Sequence, residues 1–326
     1  MTNENNPNVP PGPAQPLKRE LGGFLAGITY GKQVKPIFVL MHGPDGVGKT
    51  TWASQAPDAV FVGTETGSDQ LNVARLPRPE TLGVFMNQLA GLTNQQHPFR
   101  TVVIDSIDWL EPLIWRQVCA EGQVKTIEDY AGGFGKGYIR ALEIWRGVLE
   151  RISGLANRFH VVLIAHSKIK RFDDPKLPTG YDRYIIAINE MAAAAVRQTV
   201  DAVLFASFNE KVKQVAKSGS GNRGLGEGER ILFTEHRPAF DAKNRFGLPF
   251  ELPLEWRAFA EHVKKFYFGD GGQAGGADES EPGSRGPGLR PGSAPASPHP
   301  LAPATAATNE PKGSNEPQTN TPAPAA

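Results

Sequence analysis

A chain of 326 residues with 35 basic and 34 acidic side chains carries a net charge near +1, so bulk charge does not mark it as a polyanion binder, and any nucleic-acid surface must be a local patch. Its single cysteine, Cys119, excludes an internal disulfide framework and fits a reducing cytoplasm. No apolar run approaches the length of a membrane span and no signal-peptide pattern opens the chain, which points to a soluble cytoplasmic protein without a membrane partner.

Residues 1–16 are rich in Asn and Pro, and residues 269–326 are Gly, Pro, Ser, Ala, Thr and Asn with almost no large apolar side chain. Segments of that kind bury too little surface to offset chain entropy, so both are expected to be disordered. Residues 17–268 are left as one globular domain. Within it, short apolar runs alternate with helical periodicity, the pattern of an α/β fold with a mostly parallel sheet flanked by helices. Strands are expected at 37–41, 59–63, 101–105, 160–165, 202–208 and 230–235, and helices at 80–92, 109–120, 138–155 and 189–200, with a helix opening at Thr50. The last two strands would form a C-terminal hairpin whose Gly/Ser-rich centre, 218–228, is its tip.

The first strand runs into Gly43-Pro44-Asp45-Gly46-Val47-Gly48-Lys49-Thr50-Thr51, a full match to G-x-x-x-x-G-K-[ST]. Glycines let successive backbone N–H groups turn inward around a polyphosphate, and the helix start adds its positive dipole end. Lys49 would reach the β- and γ-phosphates and the Thr50 hydroxyl would ligate Mg²⁺. The chain is therefore expected to bind ATP with Mg²⁺.

Thr101-Val102-Val103-Ile104-Asp105 delivers a carboxylate to the C-terminal edge of the sheet, where Asp105 would hold the metal. Ser106 follows, in the slot where many related ATPases carry the hydrolytic glutamate. The base must then come from elsewhere. Glu65, at the end of the second strand, lies at the same edge and is favoured to polarise the attacking water. Glu111, about two turns into the next helix, is the competing carboxylate.

A glutamate after the second strand and a Val-Val-Ile-Asp-Ser run after the third resemble the RecA core, and in particular the short phage-encoded RecA-like ATPases of the Sak group. The resemblance rests on residues 43–51, 61–67, 101–106, 130–138, 161–167 and 241–249, and so spans nearly all of 17–268. It implies an ATPase of phage recombination that works on single-stranded DNA beside a single-stranded-DNA-binding protein. In such enzymes a polar side chain at the end of the strand 160–165 senses the γ-phosphate. His166 stands there, where relatives often carry Gln.

Beyond it, Lys168, Lys170, Arg171, Lys176 and Arg183 are interleaved with Phe172, Tyr181 and Tyr184 in what reads as a loop. Cations track a phosphate backbone and aromatic rings stack bases, while Asp173, Asp174 and Asp182 dilute the charge. The resemblance makes this a DNA-contacting loop, with the glycine-rich segment 130–138 and its Lys136 as a second. Asp241-Ala242-Lys243-Asn244-Arg245-Phe246-Gly247 resembles the signature of RadA-type ATPases. In ring- or filament-forming relatives such cations reach a neighbour's ATP, so Lys243 and Arg245 are expected to act across a homo-oligomer interface. Two other functions fit the same motifs: a small-molecule P-loop kinase, and an ATP-gated annealing module whose hydrolysis is incidental.

Overall fold

The computed structural model describes residues 27–173, 179–212 and 224–269. The expectations for 1–16, for the tail beyond Gly269, for Lys176 and for the hairpin centre at 218–223 fall outside the described residues.

The parallel core is formed by β1 (Phe38–Gly43), β2 (Ala59–Gly63), β3 (Ala74–Arg75), β4 (Thr101–Asp105), the first half of β5 (His160–Phe172), and the start of β7 (Ala202–Val212). Three further strands extend it in antiparallel fashion, namely β8 (Gly224–Phe233), β9 (Lys243–Asn244) and β10 (Glu251–Pro253). Strand order is β10-β8-β7-β1-β5-β4-β2-β3. The β7–β8 pair is the expected C-terminal hairpin.

Alternation along the central strands divides the core between two faces. Phe38 and Leu40 of β1, Val102 and Ile104 of β4, and Val161 and Leu163 of β5 join one apolar cluster. It is closed by α2 (Leu82–Asn94), α3 (Ile107–Gly122), α4 (Lys136–Leu155) and α5 (Glu190–Thr199). Val39, Met41, Val103, Val162 and Ile164 point the other way and meet α1 (Lys49–Ser54) and α6 (Trp256–Phe268). Trp52 of α1 packs edge-on against Trp256, with ring centroids 4.8 Å apart, and against Phe259 at 5.4 Å. Such aromatic pairs contribute beyond their buried area.

One expectation changes. Residues 167–172 and 181–184, expected in a loop, are paired strands. β5 continues past Ala165 to Phe172 and pairs antiparallel with β6 (Tyr181–Ile186), with Ser167 opposite Ile186 and Phe172 opposite Tyr181. The ladder pairs backbone groups that a loop would leave to water. The glycine-rich segment at 130–138 holds the expected loop: positive-φ backbone from Ala131 to Gly135 links the 3-10 helix (Ile127–Gly132) to the first turn of α4.

Parallel strands end at a common edge. The register pairs Gly43 with His166, and Asp105 with both Ile164 and Gly63. The C-terminal ends of β1, β5, β4 and β2 therefore converge, and the candidate site lies there.

Candidate nucleotide site

The turn after β1 needs its glycines. Gly46 and Gly48 have φ of +71° and +103°, a region that side chains disfavour, and a Cβ at Gly43 would run into the Ala206 carbonyl. Val47 is fully buried and anchors the turn from below. The Lys49 ammonium curls back into it, donating to the Gly43 carbonyl at 3.0 Å and the Pro44 carbonyl at 2.9 Å. Burial lowers its pKa from the ordinary lysine value. These donors are set for a phosphate chain, with Thr51 in the first turn of α1 just beyond.

The Thr50 hydroxyl donates to Asp105 Oδ2 at 2.9 Å. The other oxygen, Asp105 Oδ1, is buried and has no hydrogen-bond partner. Burial, and next the Glu65 carboxylate beside it, raise the Asp105 pKa to about 6, against the pull of the Thr50 bond. A Cβ placed on Gly67 would have Thr50 Oγ1 at 3.7 Å, Glu65 Oε1 at 3.8 Å and Asp105 Oδ2 at 4.0 Å. Three side-chain oxygens therefore lie within 4.0 Å of one point, and Oδ1, the other oxygen of the Asp105 carboxylate, is buried without a partner. That donor set fits Mg²⁺, a hard cation held by few protein oxygens together with phosphate and water. Among the described residues no group of three or more His, Cys, Asp or Glu side chains offers an all-protein cage instead.

Ser106 is clamped to the end of β2. Its N–H donates to Thr64 Oγ1 at 2.8 Å, and the Thr64 hydroxyl donates to its carbonyl at 2.6 Å. The peptide between Asp105 and Ser106 is cis. Glu65, just beyond Thr64, is brought to Asp105 by this arrangement. Glu111 is taken elsewhere. It is buried, both of its oxygens accept from the Asn189 N–H at 2.9 and 3.1 Å, and it thereby caps the entry to α5. Burial raises its pKa.

His166 stands between the phosphate loop and α3. Its ring Nδ1 is 2.7 Å from Asp108 Oδ2, and its backbone N–H donates to Asp108 Oδ1 at 2.9 Å. Nε2 points at the loop, 3.4 Å from Asp45 Oδ1. The Asp108 hydrogen bond raises the His166 pKa against the opposing effect of burial. Asp108 is half-buried, which raises its own pKa, but the bonds from His166 outweigh this and hold the carboxyl below its usual value. Asp108 escapes sequence reading because only tertiary contact pairs it with His166. Its place in the first turn of a helix after a strand-end Asp is the one local hint.

The remaining candidate cations are mostly engaged within the chain. Lys168 donates to the Ile188 carbonyl at 2.8 Å and Lys170 pairs with Glu190. Arg183 donates to the Pro238 carbonyl at 2.8 Å, lies 3.6 Å from Asp241 and covers the Phe172 ring. Arg171 is exposed on the hairpin. Lys136 donates to the Ala131 carbonyl at 3.0 Å, beside a Phe134 that is 97% exposed.

Lys243 is not a projecting cation. Its ammonium donates to the carbonyls of Arg197 and Val200, each at 2.6 Å, and so caps the C-terminal end of α5. Asn244 staples the following turn, accepting from the N–H groups of Phe246 and Leu248 at 3.0 and 3.1 Å. Phe246 is buried and Gly247 supplies a φ of +61°. Arg245 alone in this motif faces outward, its side chain 54% exposed and 3.5 Å from Asp201. It lies beside the start of β7, at the sheet edge opposite the phosphate loop.

Another buried group went unread. His42, one residue before the loop, has Nε2 2.8 Å from the Asp241 carbonyl and Nδ1 2.9 Å from Ser167 Oγ. A carbonyl only accepts, so Nε2 carries the proton and Nδ1 accepts from the hydroxyl. Burial pushes its pKa down to about 4.

A parallel sheet with a glycine-rich loop of the G-x-x-x-x-G-K-[ST] type after its central strand, and a buried strand-end carboxylate two strands away, defines a P-loop nucleotide-hydrolase domain. The chain belongs to the AAA domain family, whose model matches residues 35–246. It is also similar to the SPbeta prophage-derived uncharacterized protein YorG of Bacillus subtilis (strain 168), at 23% identity over 191 residues. That match covers 56% of this chain and 54% of YorG, so the chain spans about half the length of the curated relative it matches.

Proposed function

We propose that this protein is a Mg²⁺-dependent ATPase of the Sak-type, RecA-like kind, acting on single-stranded DNA in phage recombination or replication. The observation that carries the hydrolytic reading is the convergence of Thr50, Asp105 and Glu65 on one point beside the phosphate loop.

The loop N–H groups and Lys49 bind and orient the phosphates. Thr50 and Asp105 would hold Mg²⁺, which supplies neutralising charge on the β- and γ-oxygens when bound. Glu65 orients a water and accepts its proton as the water oxygen bonds to the γ-phosphorus. The bond from that phosphorus to the β–γ bridging oxygen breaks, and the products are ADP and phosphate. His166, steered by Asp108, offers Nε2 toward the γ-phosphate.

The DNA role rests on the sequence resemblance, on the prophage setting in the relative's name, and on the β5–β6 hairpin. That hairpin continues directly from the strand carrying His166 and exposes Arg171, Ile169 and Tyr184. An exposed Arg245 is consistent with a role at a neighbour's site in a homo-oligomer, and a single-stranded-DNA-binding protein is the expected partner. ATP turnover measured with and without single-stranded DNA tests this reading. Several-fold stimulation supports it. Turnover without stimulation removes the DNA role, and no Mg²⁺-dependent turnover removes the enzyme.

A further inference from the structure

Most of the cations expected on a DNA surface are engaged inside the chain. Lys168 and Lys136 donate to backbone carbonyls, Lys170 pairs with Glu190, and Arg183 is held by Pro238 and Asp241. Two arginines elsewhere are not. Arg78, just ahead of α2, and Arg116, on α3, are exposed and make no hydrogen bond or ion pair among the described residues. Both line one cleft of about 560 Å³, together with Thr64, Glu80, Trp109 and Pro112. Trp109, Pro112 and Arg116 are spaced i, i+3 and i+7 along α3 and so share one helix face. Trp109 is 48% exposed, whereas Trp52, Trp145 and Trp256 are buried. The Arg78 guanidinium lies 5.6 Å from the centroid of its ring.

The chemistry of this cleft is specific. An exposed indole offers a face on which a base can stack, and a guanidinium beside it pairs with phosphate oxygens. Two arginines against a single lining carboxylate, Glu80, leave the cleft cationic although the chain as a whole is nearly neutral. A duplex keeps its bases stacked inside, so an indole in a cleft selects a strand whose bases are free. The cleft also adjoins the hydrolytic residues. Thr64, nearly fully buried at its base, exchanges two hydrogen bonds with Ser106, the residue after Asp105. Arg78 lines in addition a smaller cleft of about 350 Å³ that reaches Glu65. A ligand held on Trp109 and Arg78 therefore bears on the surroundings of the water-orienting carboxylate.

We propose that this cleft is a contact site for single-stranded DNA, in which a base stacks on Trp109 while Arg78 and Arg116 hold adjoining phosphates. The proposal rests on the single-strand reading above. It adds to that reading a binding place outside the segments 130–138 and 167–184, and a route from bound DNA to Glu65.

The test titrates the full chain with labelled oligothymidylate, reading strand anisotropy and tryptophan emission together. Stacking should quench the emission of the wild type, and Trp109→Phe should lose most of that quench while still binding the strand. Trp109→Ala should weaken binding at least about fivefold. Arg78→Ala combined with Arg116→Ala should lower the slope of log affinity against log salt by about 1–2. Turnover without DNA should be unchanged in these variants, and its stimulation by the strand reduced. Unaltered quench, affinity and salt slope in the variants, with the wild type binding DNA, would put the strand elsewhere and overturn the proposal. Trp109 emission that follows protein concentration and ignores DNA would give the cleft to a second copy of the chain, and overturns it too. If the wild type binds no oligothymidylate, the single-strand reading itself falls and this one with it.

Discussion

The carboxylates of Glu65 and Asp105 stand side by side at the ends of neighbouring strands, with the Asp105 pKa raised by burial and by Glu65. Two such groups share a confined space stably only when a cation or a proton compensates them. Asp105→Asn should therefore raise the Mg²⁺ concentration for half-maximal turnover by at least about tenfold. A metal titration of ATPase activity checks this; an unchanged Mg²⁺ requirement would remove Asp105 from the metal site.

Glu111 provides the contrast. Its side chain answers the Asn189 N–H in the core, so Glu111→Ala should lower unfolding free energy by about 1–3 kcal/mol while turnover per folded molecule is kept. Urea melts together with ATPase assays separate the two effects. A large loss of turnover at full stability would return Glu111 to the chemistry.

For His166, the doubly bonded Asp108 holds the ring in place and raises its pKa. The stability from this contact is complete below the unfolded histidine value and is lost as pH rises through the folded one. Asp108→Asn should move the His166 titration down in pH, as read by NMR, and lower kcat more than it changes KM. A titration that does not move would mean that Asp108 does not tune the ring.

His42 has the opposite sign. Its folded pKa of about 4 lies below the unfolded value near 6.5, so it is neutral when folded and the unfolded chain binds the proton first. Stability should fall as pH drops from about 6.5 to about 4, by about 3 kcal/mol from this residue. His42→Gln should flatten that part of the pH–stability curve relative to the wild type; identical slopes in the two proteins would contradict the assignment.

Arg245 sits at the sheet edge opposite its own phosphate loop, so any part it takes in hydrolysis must be played on a neighbouring subunit. Mixing Lys49→Ala with Arg245→Ala protein should restore part of the turnover that each lacks alone. No restoration, under conditions where mixed oligomers form, argues against the shared site.

What the sequence revealed and what it hid follow from how local each feature is. The phosphate loop, Asp105 and the four main helices are written in contiguous residues, because turn chemistry and periodicity act over short spans. The α6 helix is not among the expected helices, although Trp256, Phe259 and Val263 are spaced for one buried face. The hairpin was misjudged because Lys168, Lys170 and Arg171 look like loop chemistry, while the pairing of β5 with β6 is a long-range fact. The contacts of Lys243 are long-range in the same way: the carbonyls it caps belong to Arg197 and Val200, over 40 residues earlier. The bonds of Asp108, the cleft between Arg78 and Trp109 and the bonds of His42 exist only once distant strands and helices are assembled.

The central claim is that Glu65 activates the water in a Mg²⁺–ATP site built on Lys49, Thr50 and Asp105. Single-turnover hydrolysis of ATP by the wild type and Glu65→Gln, with binding followed in parallel by a fluorescent ATP analogue, tests it most directly. Retained binding with hydrolysis slowed by about 10²–10⁴ is the expected result. Hydrolysis at the wild-type rate in Glu65→Gln would contradict it.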